Sequence, residues 1–273
     1  MKKIGLICIL TTALLTACNN NGEKEAVLHL KKAKLELANG NYNEAKLQID
    51  SIRNLYPKAF EARKEAIKVM QQIDLKEQQK SLVYLDSMLV VKEAKLDSIK
   101  GKFVLEKDTA YQEVGNYFYP SQTVEKNSGR SFLRAQVNEI GDMSLTSIYC
   151  AGGNIHHTSI KVINGDIYAE TLPTRDSYET NDLGRPIEKA DYKISEDGGV
   201  TAFVVSNRDS NIKLQFIGDK TYTTIMPKSD RDAITEISEL AKLLSSIAQI
   251  RTEKKEANLK IEFVKRKMQE DNK

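Results

Sequence analysis

The chain has 273 residues, 29% of them charged and 40% hydrophobic, with 41 basic against 38 acidic side chains and a formal net charge of +3. That length suffices for one or two ordinary cores, and the near balance of charge leaves no electrostatic footprint for nucleic acid. Three cysteines in the whole chain exclude a disulfide-built scaffold.

At the start, Lys2 and Lys3 precede an uncharged run from Ile4 to Ala17, the charged head and apolar core of a secretory signal. The run is too short for a spanning helix, which takes about 20 apolar residues, and Asn19, Asn20 and Asn21 follow at once. Leu15, Thr16, Ala17 and Cys18 stand in lipobox order, and the segment resembles the signal of bacterial lipoproteins. That resemblance implies removal of residues 1–17, a diacylglyceryl thioether on Cys18 and usually a further acyl chain on the new amino terminus. The membrane is then a partner through the N-terminal lipid, and the expected place is the bacterial cell envelope at the outer membrane, with the periplasmic and surface faces both open. Two or three chains hold where one is marginal, since each buried methylene contributes about 0.8 kcal/mol. With Cys8 removed and Cys18 acylated, Cys150 is the one cysteine left, and no internal disulfide is expected. Residues 18–25, "CNNNGEKE", should form a flexible lead. Glu23 and Glu25, interrupted by Lys24, are a thin match to the acidic stretch that directs some lipoproteins to the outer face.

Residues 26–57 carry apolar positions at helical spacing on both sides of a break at Asn39 to Asn41, which predicts a helical hairpin. Ala33, Gly40, Tyr42, Ala45 and Pro57 fall on the spacing of one tetratricopeptide repeat, which the hairpin resembles. His29, Lys32 and Glu36 depart from the pattern, and stepping forward one repeat gives Ile67, Asp74 and Gln79, so there is no second copy. A single repeat makes no peptide-binding groove, because such arrays need about three units.

Residues 58–100 contain no glycine or proline and place Leu75, Leu82, Leu85, Leu89, Leu96 and Ile99 on three-and-four steps, with Gln78 and Lys92 in the remaining seam positions. Residues 228–273 match this helix in length. Ser229 and Asp232 have capping-box spacing there, Ile237, Leu240, Leu244 and Ile247 keep a seam, and Ile261, Val264 and Met268 resume it beyond the polar "RTEKKEANLK". The two segments are expected to pair as a long antiparallel, coiled-coil-like stalk, with self-association or a helical protein partner through the same seams as the alternative.

Between them, residues 101–227 change to strands and turns. Asn164-Gly165 marks a two-residue hairpin, and "DYKISEDGGVTAFVVS" repeats the logic around Asp197-Gly198. About eight strands joined by short connections predict an antiparallel sandwich or barrel. The fold class expected is therefore α+β: an N-terminal helical hairpin and a helical stalk with an inserted β domain.

No phosphate loop, zinc helix, nucleophile elbow or dinucleotide fingerprint is present, so no catalytic residue, metal ligand or cofactor is expected. Cys150 with His156 or His157 would need hydrogen-bond reach to act as a nucleophilic pair, and a strand end makes Cys150 a core residue instead. Adjacent histidines on a strand face opposite sides, which argues against shared chelation. The stretch Pro173 to Pro186 reads as the longest loop and gathers Arg175, Asp176, Tyr178, Glu179, Asp182 and Arg185, candidates for a sugar or protein contact. Tyr117 and Tyr119 in "NYFYP" are a second candidate, to stack on a glycan or partner or to pack inside. The function expected is non-catalytic binding or scaffolding at the envelope. The alternative is a ligand-binding protein or enzyme with a pocket in the β domain.

Overall fold

A computed structural model describes residues 18–123, 126–182 and 184–271. The signal segment 1–17 lies outside the described residues, and so do the side chains of Cys18 and Asp182. The chain is α+β, with long helices and two antiparallel sheets, and it divides into unit 1 (residues 1–87 and 252–273) and unit 2 (residues 88–251).

Unit 1 is helical. Helix α1 (Cys18–Ala38) and α2 (Tyr42–Leu55) form the expected hairpin, followed by the first part of α3 (Phe60–Ile99). Ala26, Ala33 and Ala45 are fully buried, as close helix approach requires, and with Leu30, Ile49, Ile52, Val69 and Ile73 they make one core. The flexible lead expected at 18–25 is instead the first two turns of α1. Glu23 is tied down there: its carboxylate accepts the Ala62 N–H at 2.9 Å, one of the orphan donors at the start of α3. His29 is also held, with its Nδ1 2.7 Å from Gln48 Oε1 and its ring against Tyr56. Residues 252–270 of α5 (Lys228–Glu270) complete this unit. Gln71 donates to Asp271 at 2.6 Å and Lys254 pairs with Asp86, so α3 and α5 run antiparallel here. Ala257, Ile261 and Val264 are buried, which shows the seam continuing through "RTEKKEANLK".

Unit 2 contains the ten strands of the described residues: β1 (Val104–Glu106), β2 (Asn116–Phe118), β3 (Phe132–Asn138), β4 (Met143–Tyr149), β5 (Ser159–Asn164), β6 (Ile167–Glu170), β7 (Ser177–Asp182), β8 (Arg185–Lys193), β9 (Lys213–Ile217) and β10 (Thr221–Ile225). They form a six-stranded sheet in the order β1-β2-β3-β4-β8-β7 and a four-stranded sheet in the order β10-β9-β5-β6. The inward side chains of both sheets, Leu133, Ala135 and Leu145 from one and Ile160, Val162, Leu214 and Phe216 from the other, share a core with Ile234, Ile237 and Leu240 of α5.

Three expectations change in this unit. The segment after Asp197-Gly198, read as a strand, is the short helix α4 (Val200–Ser206), because the Asp197 carboxylate accepts the Gly199 and Thr201 N–H groups and Val200 and Val204 turn into the core. Local capping outweighs β-branched propensity. The long loop expected at 173–186 is largely the hairpin β7–β8, with Ser177 opposite Ala190 and Asp182 opposite Arg185. Its alternating polar residues suit an edge strand, which needs no apolar face. Helix α5 begins at Lys228, and Asp232 reaches Arg208 and Lys228 instead of closing a box with Ser229.

Candidate functional site

Strand register brings two acids together on the inner face of the six-stranded sheet. Glu188 on β8 lies directly opposite Glu179 on β7, a like-charge pair that is unfavourable unless donors separate the carboxylates. Residues 154–157, irregular backbone leading into β5, supply those donors. Glu188 Oε1 accepts the N–H groups of Ile155 at 2.6 Å and His156 at 3.0 Å. Its Oε2 accepts the N–H of His157 and the ring Nδ1–H of the same residue, both at 2.9 Å. Glu179 binds His156 Nδ1 and the Asn154 amide instead. His156 holds this position with a backbone φ of 54°, in the left-handed region that costs a non-glycine residue about 1–2 kcal/mol.

The other ring nitrogen of His157 meets Ser147 Oγ at 2.7 Å. Because Nδ1–H is given to Glu188, Nε2 accepts the serine hydroxyl proton. Tyr192 OH lies 3.3 Å from the same Oγ. Serine, histidine and glutamate therefore stand in the order of a hydrolytic triad. Their surroundings differ from one. Ser147, His157 and Glu188 expose 0%, 2% and 2% of their surfaces, and the His157 ring is packed edge-on against Tyr149 and Phe216. No acyl group reaches Ser147 in this arrangement.

Burial pushes the pKa of His157 down, against the pull of Glu188, so the ring is neutral near pH 7. At Glu188 burial acts upward, but the His157 and His156 donors outweigh it and hold the carboxyl below its ordinary range. Tyr192 is pushed up to about 12, chiefly by burial. Exposed His156 moves up instead, through its bond to Glu179. The ligand-type atoms of His156, Glu179 and Glu188 all lie within 4.8 Å of one another, a grouping that could hold a cation. Glu188 is a poor ligand, however, because four N–H donors already occupy its two oxygens, about the full capacity of a carboxylate.

The outer face of the same sheet is open. A groove of about 730 Å³ runs over Arg134, Gln136, Ser144, Asp191 and Lys193, with Arg175 beside them. Comparison with protein-family models, curated proteins and solved structures finds no match to the chain. Geometry alone therefore ranks these sites.

The residues singled out in the sequence are scattered by the fold. Arg175 and Asp176 line the groove, while Tyr178 stands exposed nearby with Lys189 Nζ 5.4 Å from its ring centroid. Glu179 turns to the inner face and His156, and Arg185 is exposed beside the turn at Gly129. Tyr117 and Tyr119 are half-buried against the core of unit 2. Cys150 is half-buried with a free thiol, and its N–H is bound by Ser131. Ser147, Glu188, Arg134 and Asp191 had no local sequence signal, since each is one polar position in an alternating strand.

Proposed function

We propose that this chain is a lipid-anchored envelope protein that binds or scaffolds without catalysis and uses the open groove of unit 2 as its contact surface. The lipobox residues Leu15 to Cys18 behind a charged head and apolar run support the anchor, and among the described residues no helix is long and apolar enough to cross a membrane. In this reading α3 and α5 are the paired stalk segments, and the two sheets are a β-sandwich inserted between them in the chain. One contrast carries the functional part: the reactive-looking Ser147, His157 and Glu188 are sealed, whereas the polar groove on the outer sheet face is open.

Two measurements test it. Protein extracted from envelopes should carry a diacylglyceryl group on Cys18 by mass spectrometry, and Cys18→Ser should release it into the soluble fraction. On glycan and peptide arrays, saturable hits should be lost when the groove is blocked by Ser144→Trp, and hits that survive the block would remove the groove from the reading. The order Ser147, His157, Glu188 favours a hydrolase as the second reading. That reading requires labelling by a fluorophosphonate probe, lost in Ser147→Ala, and no labelling is expected.

A further inference from the structure

Arg134 is the odd residue of the groove. It sits mid-strand on β3, and register aligns it with Thr146 on β4 and, one strand further, with Asp191 on β8. Its guanidinium lies 5.1 Å from the Phe118 ring centroid, and its Nε is buried with no hydrogen-bond partner among the described residues. Burial presses its pKa down, only partly opposed by Asp191, Glu106 and Tyr178. Asp191 does not neutralise it. That carboxylate accepts the Thr146 hydroxyl, and no ion pair joins it to Arg134 among the described residues. The residue as a whole is half-buried and lines the groove; a sheltered Nε without a partner is costly, and the Nη donors of the planar guanidinium are shaped for a carboxylate.

We infer that the groove binds a small carboxylate through the guanidinium of Arg134, with Asp191 accepting a hydroxyl or ammonium donor from the same ligand. The inference rests on the groove being the contact surface, and it adds the ligand class. Arg134 and Asp191 are separated by two strand spacings, about 9.6 Å between backbones, so the ligand must carry both groups and span the gap between the side chains. A hydroxylated sugar acid and a peptide end both offer a carboxylate. Arg175 and Lys193, exposed at the rim, are offset by the exposed acids Asp176 and Glu196, so net charge at the rim does not select the ligand.

The full chain is titrated with sodium glucuronate, with dialanine, whose free ammonium and carboxylate supply both groups, and with glucose, and binding is read by calorimetry and by shifts of the groove amide resonances. At least one carboxylate should saturate with shifts at β3, β4 and β8, and the glucuronate and peptide arms tell the two sources apart. Glucose should be at least tenfold weaker, and Arg134→Lys, which keeps the charge and loses the fork, should weaken the carboxylate at least tenfold. Arg134→Leu should abolish binding with a melting temperature no lower than that of the native chain, because it removes a half-buried charge that has no ion-pair partner among the described residues. A large fall in melting temperature would make Arg134 a structural residue and overturn the inference. So would equal binding of glucose, or no saturation with either carboxylate. If array hits are still lost in Ser144→Trp while both carboxylates fail, the ligand class is wrong and the binding surface stands.

Discussion

At His157 the ring is neutral because burial outweighs the pull of Glu188, which accepts its Nδ1–H, while Ser147 donates to its Nε2. Its folded pKa lies below the ordinary 6.5, so below about pH 6.5 the unfolded chain binds more protons than the folded one. The stability that His157 contributes is present above that pH and lost as pH falls toward the folded value. Glu188, also lowered, adds a loss of the same sign further into acid. His156 acts oppositely: its pKa is raised, so its contribution is present below about pH 6.5 and fades as pH rises through the folded value, and exposure keeps it small. Urea midpoints measured between about pH 5 and 7.5 should therefore fall toward acid. That slope should vanish or reverse slightly in His157→Gln, where His156 remains, and steepen slightly in His156→Asn. A flat profile in the native chain would show that the buried ring is not the titrating element. At neutral pH, Glu188→Gln leaves buried N–H donors facing an amide and should cost about 3 kcal/mol, read from the same urea curves.

The hairpin of β3 and β4 meets α5 at Gly141, whose carbonyl accepts the Ser245 hydroxyl at 2.9 Å. Its φ is +95°, and an added Cβ would stand 2.2 Å from the Ser245 backbone nitrogen. Gly165, in the β5–β6 turn, has a φ of +59° with nothing within 4 Å. The two positions separate strain from collision. Gly165→Ala should cost about 1 kcal/mol, the backbone term alone, whereas Gly141→Ala should cost about 3 kcal/mol or more because the hairpin must lift from the helix. Equal costs in urea unfolding would mean that this docking is soft. The same distinction explains what the sequence made legible. The seam of α3, the α1–α2 hairpin and the Asn164-Gly165 turn follow from period and turn chemistry within a short window. Helix α4 and strand β7 depart from their local sequence pattern because their states are decided elsewhere, α4 by a carboxylate capturing its first N–H groups and β7 by pairing with β8. The inner network was illegible for the same reason. Ser147, His157 and Glu188 meet only through cross-sheet register, and no spacing along the chain encodes it.

Chain connectivity sets a constraint on the whole molecule. Unit 2 is continuous from residue 88 to 251, whereas unit 1 needs both ends of the chain, residues up to 87 and those from 252 onward. Its closing contacts, Gln71 with Asp271 and Lys254 with Asp86, join residues separated by most of the sequence. Such contacts reward folding only after a long loop has closed. Unit 2 can therefore gather its sheets from sequence-near hairpins, while unit 1 is completed last. Deleting the chain after Arg251 removes the buried Ala257, Ile261 and Val264 from unit 1. At about 1.5–3 kcal/mol for each of the two larger side chains, the loss is roughly 3–6 kcal/mol, comparable with the whole stability of a small domain. Limited proteolysis should then cut within residues 26–87 at protease levels that leave the intact chain whole, while fragments spanning about 88 to 251 persist. Equal resistance of unit 1 with and without residues 252–273 would show that α1, α2 and the first part of α3 are sufficient by themselves, and that the C-terminal helix only lies on a finished surface.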